Sequence, residues 1–251
     1  MNRKITLLIM LTIAAITTAN AQTDTMRYHR WFKHDIAGAV QIQVTYRKGN
    51  TLQLNQDLNK AGIPSLSSND VWINASMAHY NHNWIMEDGL GFTPTSTATS
   101  ANNLKARYNQ YQAYFRTGYN VLTEDDIRLY PFVGLNFSAA VLDIQDNARI
   151  QNTSDFTTEL LNSTSSKTFY QPNFGIELGG GFDYLIKMKP KRKEFFTVQR
   201  SIPIGIRAGY YINTYASDWR IDNYGFGNSP NQKQSAVFLS FNIGLGYEVK
   251  K

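Results

Sequence analysis

The sequence contains no cysteine. A chain destined for export that lacks cysteine gets no disulfide staples and must draw its stability from other sources. The same absence argues against a lipoprotein. Beyond residue 21 there is no apolar run of about 18 residues, so no membrane-crossing helix is expected. Lysine is scarce wherever the sequence alternates and gathers at the ends of those segments and in the turns between them. The excess of basic over acidic residues is small. Removing Arg3 and Lys4 lowers the formal charge from +6 to +4, which does not call for a nucleic-acid partner.

What is present begins with "MNRKITLLIMLTIAAITTANAQ". Arg3 and Lys4 form a basic start, Ile5 to Ile16 an apolar stretch, and Ala19-Asn20-Ala21 a small-residue cleavage site. Residues 1–21 are therefore expected to be a secretory signal peptide. Residues 22–37 form a polar-aromatic lead, and residues 38–251 a single domain with no linker and no internal repeat.

That domain alternates with period two, the signature of strands. Strand segments lie at 38–46, 70–80, 84–92, 107–121, 127–141, 169–186, 201–214 and 235–251. Leu54 and Leu58, followed by Gly62 and Pro64, mark one short helix at 52–61. Segment 84–92 is the least regular, because Glu87 and Asp88 are adjacent. The stretches "TPTSTATSANN", 144–165 and "SDWRIDNYGFGNSPNQK" are read as loops.

One face of each segment is aliphatic and aromatic. In the last segment it is Val237, Leu239, Phe241, Ile243, Leu245 and Tyr247. The other face of the later segments carries Arg116, Arg128, Glu177, Asp183, Arg207 and Glu248 among Gly, Asn, Ser and Gln. A water-soluble barrel turns long, solvated Lys and Glu outward. A polar face of small residues with both charge signs mixed suits a crowded interior, where a charge must be paired and hydrogen-bonded. The apolar row then faces lipid, and closure leaves no open sheet edge. The negative mean hydropathy agrees, since alternating strands average to hydrophilic. The fold class expected is all-β: an eight-stranded antiparallel up-and-down transmembrane β-barrel with one short extracellular helix. About 9–11 tilted residues span a bilayer, and each segment is long enough. Trp31, Phe32, Trp84, Tyr119, Tyr170, Tyr184, Tyr215 and Tyr247 fall near segment ends, as interfacial aromatics do. With both termini in the periplasm, short turns fall on that side and long loops outside. The exception is the basic connection of about fourteen residues at 187–200.

The stretches "LYPFVGLNFSAA" and "GIELGGGFDY", with a signal peptide ending in Ala-Gln, resemble the small outer-membrane barrels of the OmpA-barrel and OmpW size class, in a style common in Bacteroidota. The resemblance implies a Gram-negative outer membrane, assembly by the barrel-insertion machinery and contact with outer-membrane lipid. It departs at the C-terminus, where Tyr247 is followed by Glu-Val-Lys-Lys instead of ending the chain.

Several features bear on chemistry. The six interior charges suggest either a salt-bridged plug or a selective path for a small solute; eight strands leave room for little but side chains, which favours the plug. His29, His34, His79 and His82 lack the carboxylate spacing of a metal site, so no metal and no cofactor are expected. A lipid-modifying enzyme needs a convergent His/Ser group, and Ser76 and His79 fall on opposite faces; no enzymatic activity is expected. Lys187, Lys189, Lys191, Arg192 and Lys193 form a basic periplasmic turn, solvated or touching anionic polymer. The loops on a rigid barrel are the place for an extracellular ligand or protein partner, and the chain is expected to be a monomer.

Overall fold

The computed structural model describes residues 36–250, apart from 69, 147–165, 193–195, 228 and 231–234. The signal peptide, most of the N-terminal lead with His29, Trp31, Phe32 and His34, nearly all of loop 144–165, and Lys193 lie outside the described residues. In chain order the elements are β1 (Ile36–Arg47), α1 (Leu52–Lys60), β2 (Val71–Asn81), β3 (Trp84–Phe92), β4 (Ser96–Thr99), β5 (Leu104–Tyr119), β6 (Ile127–Asp146) and β7 (Ser166–Lys187). They continue with β8 (Lys191–Arg192), β9 (Thr197–Ala216), β10 (Arg220–Ile221), β11 (Tyr224–Gly225) and β12 (Ala236–Lys250).

Eight long strands form the wall: β1, β2, β3, β5, β6, β7, β9 and β12. Each pairs antiparallel with its sequence neighbours in the wall. The wall then closes, because β12 runs back along β1 from Ile36↔Val249 to Arg47↔Phe238. The fold is therefore a closed eight-stranded antiparallel β-barrel. Closure gives every wall strand a backbone partner on both sides, which matters most where no water can take a free N–H or C=O.

Alternation decides the faces. In β2 every second residue from Trp72 to Ala78 is buried, and the residues between are exposed. The exposed set of the wall is apolar: Val40, Ile42, Val44, Ile73, Met77, Phe115, Leu135, Ile206 and, in β12, Val237, Leu239, Phe241, Ile243, Leu245 and Tyr247. The buried set is largely polar, including Gln41, Gln43, Asn74, Asn136, Ser240 and Asn242. The barrel is inside-out relative to a water-soluble one. Trp84 and Tyr119, edge to face at 5.5 Å, stand exposed at one end with Tyr184 and Tyr247. Tyr46 and Phe92 stand exposed at the other. Tyr215 is also exposed, whereas Tyr170 is half-buried and bonds the Asp222 carbonyl.

The two ends differ. At one, residues 82–83, 120–126 and 188–196 connect the strands, the last carrying only the two-residue β8 paired to β9. At the other, the connections are long and carry the added structure: α1 between β1 and β2, β4 between β3 and β5, and the β10–β11 hairpin between β9 and β12. Three expectations are corrected here. "TPTSTATSANN" is not all loop, because Ser96–Thr99 pairs with Lys105–Tyr108. The loop before the last strand contains β10 and β11. The basic connection of about fourteen residues shrinks to 188–196, because Lys187 ends β7 and β9 begins at Thr197. The asymmetry between the ends is sharper than the sequence suggests.

Strands β6, β7 and β9, of 20, 22 and 20 residues, are about twice what a tilted span needs. In β5, β6 and β7 the surplus stands at the long-loop end, and there the faces exchange character. Along the inner face of β6, Asn136 and Ser138 give way to Ala140, Leu142 and Ile144. Along its outer face, Leu135 and Phe137 give way to Asp143 and Gln145. β5 does the same, from Gln112 to Tyr108 and Ala106 inside and from Tyr111 to Asn109 and Arg107 outside. Leu54 and Leu58 of α1, with Ile63, Leu66 and Trp219, pack on that inner face to form an ordinary apolar core. The long-loop end is thus built for water, and the wall below it is not. Among the described residues no helix is long and apolar enough to cross a membrane.

Small inner residues make the packing possible. A Cβ on Gly134 would sit 2.8 Å from Arg116 Cγ and 2.9 Å from the Phe115 carbonyl oxygen, and one on Gly205 would overlap the Asp183 carboxylate. Gly205→Val should abolish the compact, heat-modifiable form on a gel after refolding. Phe241→Leu on the outer row should leave that form intact.

Candidate functional site

The most chemically distinctive place in the molecule is the centre of the barrel. Its first element is Glu87, on β3. The outer residues Trp84, Met86, Leu90 and Phe92 force Asp88 outward, and Glu87 inward to 2% exposure. Arg116 lies directly across on β5. Its Nη1 donates to Glu87 Oε1 at 3.0 Å, and its Nε donates to Glu177 Oε2 of β7 at 2.7 Å. Arg207 of β9 approaches the other side of Glu87, Nη2 to Oε2 at 2.9 Å. Its Nη1 stands 3.5 Å from Asp183 Oδ1, close enough to pair charges without making a hydrogen bond. The order Glu177–Arg116–Glu87–Arg207–Asp183 alternates in sign without a break.

Neutral groups occupy the remaining positions around the carboxylates. Gln43 Nε2 donates to Glu87 Oε1 at 2.7 Å and also lies 2.9 Å from Ser76 Oγ. Asn136 Nδ2 donates to Glu177 at 2.9 Å. The Tyr130 hydroxyl donates to Asp183 at 2.9 Å, and Asn242 Nδ2 reaches the same carboxylate at 3.2 Å. Gln41 accepts from Arg207 Nη2 at 3.1 Å. All eight wall strands contribute a side chain to this network. Aromatic faces enclose it: the Arg116 guanidinium lies 4.1 Å from the Tyr114 ring, and inward Phe132 and Phe238 are 6.3 Å apart. Charged side chains from β3, β5, β7 and β9 and neutral ones from β1, β2, β6 and β12 thus meet in one buried network.

Arginines stand on both sides of this column. Arg47, at the long-loop end of β1 and 9% exposed, is held between Trp72 and Tyr211, 4.3 and 4.4 Å from their ring centres. A desolvated cation over an aromatic face gains on the order of 2 kcal/mol. At the short-turn end, Arg128 lies 3.6 Å over the Tyr80 ring, in a basin of about 330 Å³ that Glu248, Lys187 and Gln199 also line.

Of the six interior charges expected, Arg116, Glu177, Asp183 and Arg207 meet in one network. Arg128 and Glu248 do not join it: they stand in the basin below, because their strands reach the short-turn end there. Glu87 and Arg47 belong to the column and its flank, although sequence reading left them out. The signal for Glu87 was the parity of Trp84, Met86, Leu90 and Phe92, masked by the neighbouring acid. Arg47 follows the last apolar residue of its strand, where alternation no longer marks a face. In the basic turn, Lys187 is drawn to Asp126 at 2.7 Å, while Lys189, Lys191 and Arg192 are exposed. Ser76 is buried, whereas His79 stands on the outer face 3.7 Å from Asp88, so the two do not converge. Among the described residues, no three His, Asp or Glu side chains are grouped to hold a metal.

No protein-family model and no curated protein matches the chain. Likenesses exist among solved structures of outer-membrane proteins. Neisserial surface protein A is 11% identical with a TM-score of 0.35, over 86% of this chain and 99% of its own. The attachment invasion locus protein Ail of Yersinia pestis is 9% identical with a TM-score of 0.36, over 85% and 98%. A major outer membrane protein of Thermus thermophilus is 10% identical with a TM-score of 0.40, over 84% and 98%. At these scores the likenesses add nothing to what strand pairing and face polarity already establish.

Adjacent residues give the most direct check on the column. Glu87→Ala leaves two buried guanidinium groups short of a partner and should cost about 3–5 kcal/mol in urea unfolding from lipid vesicles. Asp88→Ala, one position on, should not destabilise at all.

Proposed function

We propose that this chain is an outer-membrane β-barrel protein of a Gram-negative, Bacteroidota-type bacterium. Its interior is a plug, and its function resides in the long-loop end at the cell surface. The observation that carries the plug reading is the unbroken series Glu177–Arg116–Glu87–Arg207–Asp183, closed by side chains from all eight strands. Opening a path along the axis would separate ion pairs whose members are 5% exposed or less. Breaking any one of them costs several kcal/mol.

Membrane residence rests on the exposed apolar rows and on the exchange of face character along β5 and β6. An outward aliphatic surface of this extent is costly in water. Below the exchange point the wall suits lipid, and above it water. The short-turn end then faces the periplasm together with both termini. The basic residues Lys189, Lys191 and Arg192 lie there, where anionic headgroups or cell-wall polymer are within reach. The protein works as a monomer, in contact with outer-membrane lipid and dependent on the barrel-assembly machinery. It takes no nucleic acid, cofactor or metal and has no enzymatic role. A ligand or protein partner would be met through the long-loop end, where α1, β4 and the β10–β11 hairpin form a folded surface.

Two measurements test this reading. In planar bilayers the purified protein should show no stepwise conductance, and discrete openings would replace the plug with a solute channel. Asp88 is an acid on the outer row, level with Phe115. If that row faces lipid, Asp88→Leu should raise stability in vesicles by about 1–2 kcal/mol, whereas a water-facing row predicts no gain.

A further inference from the structure

The long-loop end contains a cavity of about 630 Å³. Its walls are the apolar inner face of the surplus strands and the elements that cover it: Leu54 and Leu58 of α1, Leu142 and Ile144 of β6, Phe169 of β7, and Trp219. The size and the greasy lining fall within the range of small-molecule sites. Polar groups stand at the lip. Asp57 is already held by Lys60, Nζ to Oδ1 at 2.8 Å. Lys167, exposed at the start of β7, has no side-chain partner among the described residues. The cavity therefore pairs an apolar lining with a positive charge at its mouth that no side chain among the described residues pairs.

We propose that this cavity binds a free, single-chain amphiphile with an anionic head, such as a medium-chain carboxylate. The chain lies against Leu58, Leu142, Phe169 and Trp219, and the carboxylate meets the Lys167 ammonium. Burial of the chain supplies the affinity, which rises with each methylene removed from water. The lip charge supplies the selectivity. A neutral or cationic amphiphile of equal length gains the same burial without the ion pair. The inference rests on the reading of the long-loop end as the functional face and names the ligand class that face takes.

The test uses the full chain in lipid nanodiscs, since detergent would compete as an amphiphile. Trp219, 3% exposed, stands in the cavity wall, so a brominated dodecanoate should quench tryptophan fluorescence saturably. Trp219→Phe should remove that saturable part, leaving only weak linear quenching from partition into the bilayer. Dodecyltrimethylammonium should compete at least about tenfold more weakly than dodecanoate, a difference of about 1.4 kcal/mol. Lys167→Glu should erase or reverse that preference, and its exposed position spares the fold. Leu142→Trp should fill the chamber and abolish binding, with heat-modifiability reporting that the barrel still forms. Three results would overturn the proposal: no saturable quenching, equal competition by the two amphiphiles, or Lys167→Glu behaving as wild type. Failure of the chain to enter nanodiscs would instead count against membrane residence.

Discussion

Glu87 receives Arg116 on one oxygen and Arg207 on the other, and the barrel interior is organised around that bridge. Two arginines in a space this narrow repel each other and are costly to strip of water. A carboxylate between them reverses the first term, and Glu177 and Asp183 beyond them complete the compensation. Neutral donors from Gln43, Asn136, Tyr130 and Asn242 then occupy the carboxylate positions that the arginines leave. The inner glycines follow from the same constraint. At Gly134 and Gly205 a larger residue would occupy the volume needed by Arg116 or Asp183. The stability of this interior lies less in any one ion pair than in the cost of leaving a member unpaired.

The outer surface answers to a different solvent. Along one strand, β6, the outward residue changes from Leu135 and Phe137 to Asp143 and Gln145 while the inward residue changes from Asn136 to Leu142. A single strand thus meets two solvents, and its period-two pattern inverts where it passes from one to the other. α1 is stable only because of that inversion. Its two buried leucines would have nothing to pack against if the inner face stayed polar. The cavity beneath α1 is a product of the same arrangement, formed where the inner face has become apolar but the covering elements do not fill it.

Most of the wall was legible in the sequence because alternation is a local signal. Parity gathers Val40 to Val44 and Val237 to Tyr247 into apolar rows, and the small, mixed-charge composition of the opposite face turns those rows outward. The short helix read correctly from Leu54, Leu58 and Gly62. Four interior charges did too, because each sits among residues of clear parity. Glu87 did not, because an outward acid beside it blurs the pattern in β3. Which charges touch was also illegible: Arg128 and Asp183 are register partners, yet Arg128 turns to the Tyr80 ring and Asp183 to Arg207 and Tyr130. The extra length of β6, β7 and β9 and the pairing of β4 with β5 depend on contacts distant in sequence, which no local pattern carries.

Lipid contact along one side of each wall strand, with that side exchanging its role along β6, is open to direct measurement. The absence of cysteine makes single-cysteine nitroxide labelling clean. In lipid vesicles, labels at Val44, Phe241 and Ile243 should collide often with oxygen and rarely with a water-soluble nickel complex. A label at Asp143 should do the reverse. Frequent nickel collisions at all four positions would contradict the account and place the apolar rows in water.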